Sequence, residues 1–95
     1  MIHRYRIADD VAWVSHADLD GGDVPTAYLA RLPGGPPILL EGSACLIWLA
    51  LADGGTLEEL TESAAAMSGT AAEEISGDVE MMLDQLVAIR VVRED

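Results

Sequence analysis

Glu41 divides the sequence into two textures, and this switch of period limits the possible folds more than any single motif does. Before it, short runs of aliphatic and aromatic residues alternate with turn formers. They are Val11-Ala12-Trp13-Val14, the polar Asp18-Leu19-Asp20-Gly21-Gly22-Asp23, Thr26 to Leu32, and Pro33-Gly34-Gly35-Pro36 ahead of Ile38-Leu39-Leu40. Short apolar runs bounded by Gly, Pro and Asp read as strands. The order predicts a three-stranded antiparallel meander over about residues 11–14, 26–32 and 37–40. Pro36 and Pro37 lead into the third strand, and a residue without an N–H is tolerated at a strand's beginning or on an edge. The segment Pro37 to Leu40 is therefore expected to be an edge strand.

After Glu41 the pattern is helical. Ser43 is placed to cap a first helix over about residues 43–52, and Asp53-Gly54-Gly55 supplies glycines that end a helix in the left-handed conformation. Thr56-Leu57-Glu58-Glu59 and Thr70-Ala71-Ala72-Glu73 both have the spacing of a capping box, in which a hydroxyl and a carboxylate satisfy free N–H groups at a helix start. Two further helices are predicted over about residues 57–67 and 71–89, with Ser68-Gly69 as the break, and Val91-Val92 suits a short terminal strand. The whole is α+β, a three-stranded antiparallel sheet followed by three helices.

On a wheel of ~100° per residue, Ile75, Val79, Leu83 and Leu86 fall within about 80° of one another and form a core-facing stripe. Glu80 and Asp84 lie opposite. Beside the stripe runs a mixed shoulder of Asp78, Met81, Met82, Gln85 and Ile89, which suits the wall of a groove. Methionine adapts its unbranched side chain to varied apolar partners. The plainer alternative is that Met82 and Ile89 belong to the core and Met81 covers its margin.

Ninety-five residues with a 51% hydrophobic share allow one domain, residues 1–95, with one core. A multidomain enzyme is excluded. Five Lys+Arg against 17 Asp+Glu give a formal charge of −12, which repels phosphate backbones and anionic lipid alike, so neither nucleic acid nor membrane is an expected partner. Twelve of the acids lie in residues 41–95. The longest unbroken apolar run, Ala44 to Ala52, is far short of the ~20 residues of a membrane span and reads as a buried helix. With one cysteine and an opening Met1-Ile2-His3-Arg4-Tyr5-Arg6 unlike a secretory signal, the expected address is cytoplasmic.

The residues of catalytic chemistry are not assembled in any familiar spacing. His3 and His16 lack a second ligand at metal-binding spacing, and no cofactor motif is present. Cys45 lies within the apolar helix and reads as a small buried hydrophobe. Ser43 lacks a G-x-S-x-G elbow and reads as a cap. Glu58, Glu59, Glu62, Glu73, Glu74, Glu80 and Asp84 read as a solvated face or helix-start charges, with a docking surface for a cationic partner as the alternative. The chain is not expected to be an enzyme.

Three strings taken together, Leu40-Glu41-Gly42-Ser43-Ala44-Cys45-Leu46-Ile47-Trp48, Asp53-Gly54-Gly55-Thr56-Leu57-Glu58-Glu59-Leu60 and Asp78-Val79-Glu80-Met81-Met82-Leu83-Asp84-Gln85-Leu86, resemble the PqqD family. These small domains are known as RiPP recognition elements and bind leader peptides of ribosomally made natural products. The resemblance spans residues 11–92, with Met82 where an aromatic or Leu is frequent and Pro36-Pro37 as a departure at the third strand. It implies a winged helix-turn-helix-like domain whose third strand and third helix border a cleft that a leader peptide enters as an added strand.

On this basis Pro37, Ile38, Leu39 and Leu40 would supply the ladder, and Asp78, Met81, Met82, Gln85 and Ile89 the facing wall. Main-chain pairing gives such a site its affinity and side-chain pockets its selectivity. The expected function is non-catalytic capture of a precursor peptide and its presentation to a separate modifying enzyme, such as a radical-SAM protein or a leader peptidase with a cyclase. Two other classes share these features. A winged-helix transcription regulator would need a basic recognition helix, whereas the third helix here is acidic. A homo-oligomeric scaffold subunit would use the same edge strand against a second copy.

Overall fold

A computed structural model describes residues 3–16 and 24–95 of the chain. The polar segment Asp18–Asp23 read as the first turn of the meander lies outside the described residues. In chain order the elements are β1 (Arg4–Ile7), β2 (Val11–His16), β3 (Thr26–Arg31), β4 (Ile38–Glu41), α1 (Ser43–Leu51), β5 (Gly55–Thr56), α2 (Leu57–Ser68), α3 (Ala72–Ala88) and β6 (Val92–Glu94). No helix among them is long and apolar enough to cross a membrane.

The meander forms as a three-stranded antiparallel sheet in the order β2-β3-β4. Its register sets Val14 opposite Tyr28 and Tyr28 opposite Leu39, with Ala27 opposite Leu40 and Leu29 opposite Ile38. Alternation then sorts the side chains by face. Ala27, Leu29 and Leu40 are buried toward the helices, whereas Val14, Tyr28 and Leu39 remain exposed on the outer face. The third strand begins at Ile38, one residue after the expected Pro37, which has no N–H to contribute to a ladder.

A second antiparallel sheet, of order β5-β1-β6, extends the expected pattern of three strands followed by three helices. β1 was not anticipated from sequence. Tyr5 and Ile7 pack against the core while Arg4 and Arg6 alternate with them, a period-two pattern only four residues long. Its partners are distant in sequence, Gly55–Thr56 on one side and Val92–Glu94 on the other, so no local hairpin signal marks it. The Val91-Val92 strand is present as β6, with Val91 and Val92 both buried.

Two helix starts differ from expectation. Gly42, not Ser43, is the N-cap of α1, and no side chain caps the helix. The chain must turn from β4 straight into α1, and Gly42 does so at φ 63°, ψ −130°, where its N–H donates to the Pro25 carbonyl at 2.9 Å. Ser43 thereby becomes the first helical residue. The box Thr56/Glu59 forms in full at α2: the Glu59 N–H donates to Thr56 Oγ1 (3.2 Å) and the Thr56 N–H to Glu59 Oε1 (3.0 Å). Its expected twin, Thr70/Glu73, does not form. The Thr70 N–H instead closes α2 by donating to the Ala65 carbonyl and to Ser68 Oγ, both at 3.3 Å, so Ala71 is the uncapped N-cap of α3.

The core lies between the sheets and helices. Trp48 is fully buried at its centre and meets Trp13 edge-to-face, with ring centroids 5.9 Å apart. Leu51 and Leu60 join it from α1 and α2, and Val79, Leu83 and Leu86 from the predicted stripe of α3, with Ile75 half-buried at the stripe's end. Burying each such aliphatic side chain contributes about 1.5–3 kcal/mol. This packing fixes the distance and tilt of α3 relative to the sheet, and hence the shape of what lies between them.

Candidate functional site

The outer side of β4 is the unpaired border of its sheet: β4 pairs with β3 and with no other strand among the described residues. Such a border presents a row of N–H and C=O groups open to another chain. It is four residues long, bounded before Ile38 by two prolines and after Glu41 by Gly42.

The side chains of β4 point to opposite faces, and only some of the expected ladder residues turn toward α3. Ile38 is half-buried and Leu40 is a core residue. Leu39 lies on the opposite face, 49% exposed, next to Tyr28. Pro37 is exposed just outside the strand. A guest strand on this border would therefore meet Leu39 with one set of alternate side chains and the groove toward α3 with the other.

The expected wall on α3 divides into two parts. Asp78, Met81, Met82 and Gln85 come together around a cavity of about 190 Å³, closed on the other side by Ser43 and Ile47 of α1. Met81 is 62% exposed, while Met82 is half-buried and packs on the core. Ile89 lies further along, where it shares a cavity of about 530 Å³ with Ile38 and the turn from Arg31 to Pro36. A smaller apolar cavity of about 110 Å³ between the three helices, lined by Leu46, Ile75 and Val79 among others, adjoins the first through Ser43, Ile47 and Asp78.

Sequence reading missed Ser43 and Ile47 as lining residues, because a residue before an apolar run looks like a cap and an Ile inside it looks like pure core. It placed the β3–β4 turn at Pro33 to Pro36 but missed that this turn lines the groove. The one available signal there was Leu32, an aliphatic side chain beside a Pro-Gly-Gly-Pro turn, which is 57% exposed. Gly35 makes that turn close: a Cβ on it would stand 2.5 Å from the Arg31 carbonyl oxygen.

The groove is polar in the electrical sense. At the Glu41 end lie Glu41 and Asp78, and the exposed face of α3 continues with Glu80 and Asp84. Away from the groove, on β1, the half-buried Tyr5 hydroxyl is held above its ordinary pKa first by burial and then by Glu94, Asp84 and Glu80. At the Ile38 end, Arg31, Arg90 and Arg93 line an adjoining cavity.

Cys45 is fully buried within α1, and burial pushes its thiol above the ordinary value, the environment of a packing residue. Ser43 shares its cavity with Asp78 and with no histidine. His3 pairs with Glu94 at 3.0 Å, and His16 ends β2 in solvent. Among the described residues no three His, Cys, Asp or Glu side chains converge as a metal-ligand group.

Comparison with known proteins agrees with this architecture. Residues 29–92 match the family profile described as coenzyme PQQ synthesis protein D (PqqD). Among solved structures, TbiB1 in complex with the TbiA(beta) leader peptide superposes with a TM-score of 0.69 at 23% sequence identity, covering 93% of this chain and 94% of that one. At that identity the likeness establishes the shared fold. Comparison with curated proteins gives no match.

Proposed function

The chain belongs to the PqqD family, and from that premise we propose that it is a non-catalytic peptide-binding domain of RiPP biosynthesis that captures the leader of a precursor peptide by strand addition. The observation that carries this reading is the free border of β4 standing beside the two cavities along α3. A guest strand would satisfy the border's backbone groups and place alternate side chains against Met81, Met82, Gln85 and Ile89. TbiB1, which shares the fold, has a leader peptide bound to it, and this supports the same class of ligand here. The rest of the precursor then extends from the domain toward a separate modifying enzyme in the cytoplasm, a radical-SAM protein or a leader peptidase with its cyclase.

The test is a fluorescence-polarisation titration with a fluorescein-labelled synthetic leader from the precursor encoded beside this chain. Within the short segment of the leader that pairs with β4, single N-methylation should abolish binding at alternate positions, since only alternate residues of an added strand turn their N–H toward the border. Met81→Glu should weaken binding at least tenfold without unfolding the domain, because Met81 is largely exposed. Uniform tolerance of N-methylation, or unchanged binding by Met81→Glu, would overturn the assignment.

A second reading, a homo-oligomeric scaffold, is favoured by the exposed row of Val14, Tyr28 and Leu39 across the outer face of the same sheet. Self-pairing would occupy the β4 border. Size-exclusion chromatography separates the readings: a dimer that persists with saturating leader favours the scaffold, and a monomer that binds leader one-to-one favours peptide capture.

A further inference from the structure

We propose that the arginine cluster at the Ile38 end of the groove binds an acidic side chain of the guest peptide and so fixes the direction in which the guest lies. This inference rests on the peptide-binding reading above and adds to it a chemical requirement on the ligand.

The chain has five arginines and no lysine against seventeen acids, so the whereabouts of each cation can be traced. Arg4 lies 3.6 Å from Glu59, and Arg6 contacts Asp9 at 3.2 Å and Asp95 at 3.3 Å. The other three, Arg31, Arg90 and Arg93, line one cavity of about 290 Å³ whose only carboxylate is Asp10. Asp10 sits 3.3 Å from Arg31 Nη2. Neither Arg90 nor Arg93 has a carboxylate within 4.0 Å among the described residues, and the buried Arg31 Nε has no hydrogen-bond partner. On a surface otherwise dominated by acids, this leaves a small site with unspent positive charge and an unused donor.

Its position ties it to the groove. Arg31 lines both this cavity and the larger one containing Ile38 and Ile89, and Arg90 directly follows Ile89. Arg90 holds φ 67°, a left-handed conformation in which glycine or asparagine is the usual choice after a helix. A cation beside the carbonyl end of α3 is favoured by the helix dipole. That accounts for Arg90; it does not account for Arg31 on β3 or Arg93 on β6.

At the opposite end of the groove stand Glu41 and Asp78. A peptide lying along β4 with an acidic residue beyond Ile38 gains charge-assisted hydrogen bonds, and the reversed peptide brings that residue against carboxylates. Charge arranged this way selects orientation and register more than raw affinity.

The experiment uses the labelled leader described above. Each of its Asp and Glu residues is changed singly to Asn or Gln and titrated against the parent domain and against the double variant Arg90→Gln/Arg93→Gln, with folding checked by circular dichroism. One acidic position should lose about three- to tenfold in affinity for the parent and less than about twofold for the double variant, the non-additivity of a direct pair. Should the double variant fail to fold, Arg93→Gln alone, on the exposed side of β6, takes its place. Equal losses with both proteins, a leader that binds with no acidic residue, or undiminished binding by the double variant would overturn the proposal. Binding that resists these changes but falls with Met81→Glu removes this inference and leaves peptide capture standing, whereas a leader that fails to bind the parent domain removes both.

Discussion

Gly42 occupies the conformation of the first central residue of a type II′ turn, one that a side chain rarely adopts. Gly42→Ala should therefore cost about 1–3 kcal/mol, seen as a lower urea midpoint at unchanged slope. An unchanged midpoint would show that the β4–α1 junction relaxes into an ordinary turn. The residue also illustrates what a sequence hides. Ser43 looked like the cap because a hydroxyl before an apolar run normally is one, but the junction's geometry was decided by backbone freedom one position earlier. Trp48 and Cys45, by contrast, were legible as core because an unbroken apolar run too short for a membrane has nowhere else to go.

The same contrast appears among the elements. Thr56→Ala should destabilise the domain by about 1 kcal/mol, while Thr70→Ala should leave its thermal midpoint nearly unchanged, because only the first threonine accepts a helix N–H. The two sequences have the same spacing; what separates them is that Thr70 is drawn into closing α2. Glu59 has its carboxyl pKa lowered first by the hydrogen bond from the Thr56 N–H, next by the Thr56 side chain, and less by Arg4. A carboxylate with a lowered folded-state pKa stabilises above its unfolded value, and that contribution fades as pH falls through the folded one. The stability difference between the parent and Glu59→Gln should thus be present at neutral pH and shrink in acid, measured by urea unfolding across the carboxylate range. A difference independent of pH would mean that Glu59 contributes through packing alone. The stripe of α3 was legible from its period, but a helical wheel gives direction without depth, so it could not separate Met82, half-buried, from Met81, open to solvent. β1 was hidden for another reason: its partners lie some fifty and ninety residues away, beyond any local pattern.

For the molecule as a whole the −12 charge opposes the compact state by self-repulsion. Raising NaCl from about 0.02 M to about 0.2 M should raise the melting temperature, since screening relieves that repulsion. A falling melting temperature would instead show that the arginine pairs outweigh it. The texture switch at Glu41 and the Pro-Pro lead-in made the meander, its free border and the three helices readable before any coordinates, because each follows from local period and backbone chemistry. The division of the groove into two cavities was not readable, since it depends on how the turn from Arg31 to Pro36 approaches the end of α3.

Arg4 and Asp95 exchange backbone hydrogen bonds at 3.3 and 2.8 Å, closing the pairing of β1 with β6. Two segments some ninety residues apart are thus clasped on a different sheet from the one that holds β4. Loosening that clasp, for instance by Arg4→Pro, should therefore unfasten β6 before it disturbs the border of β4.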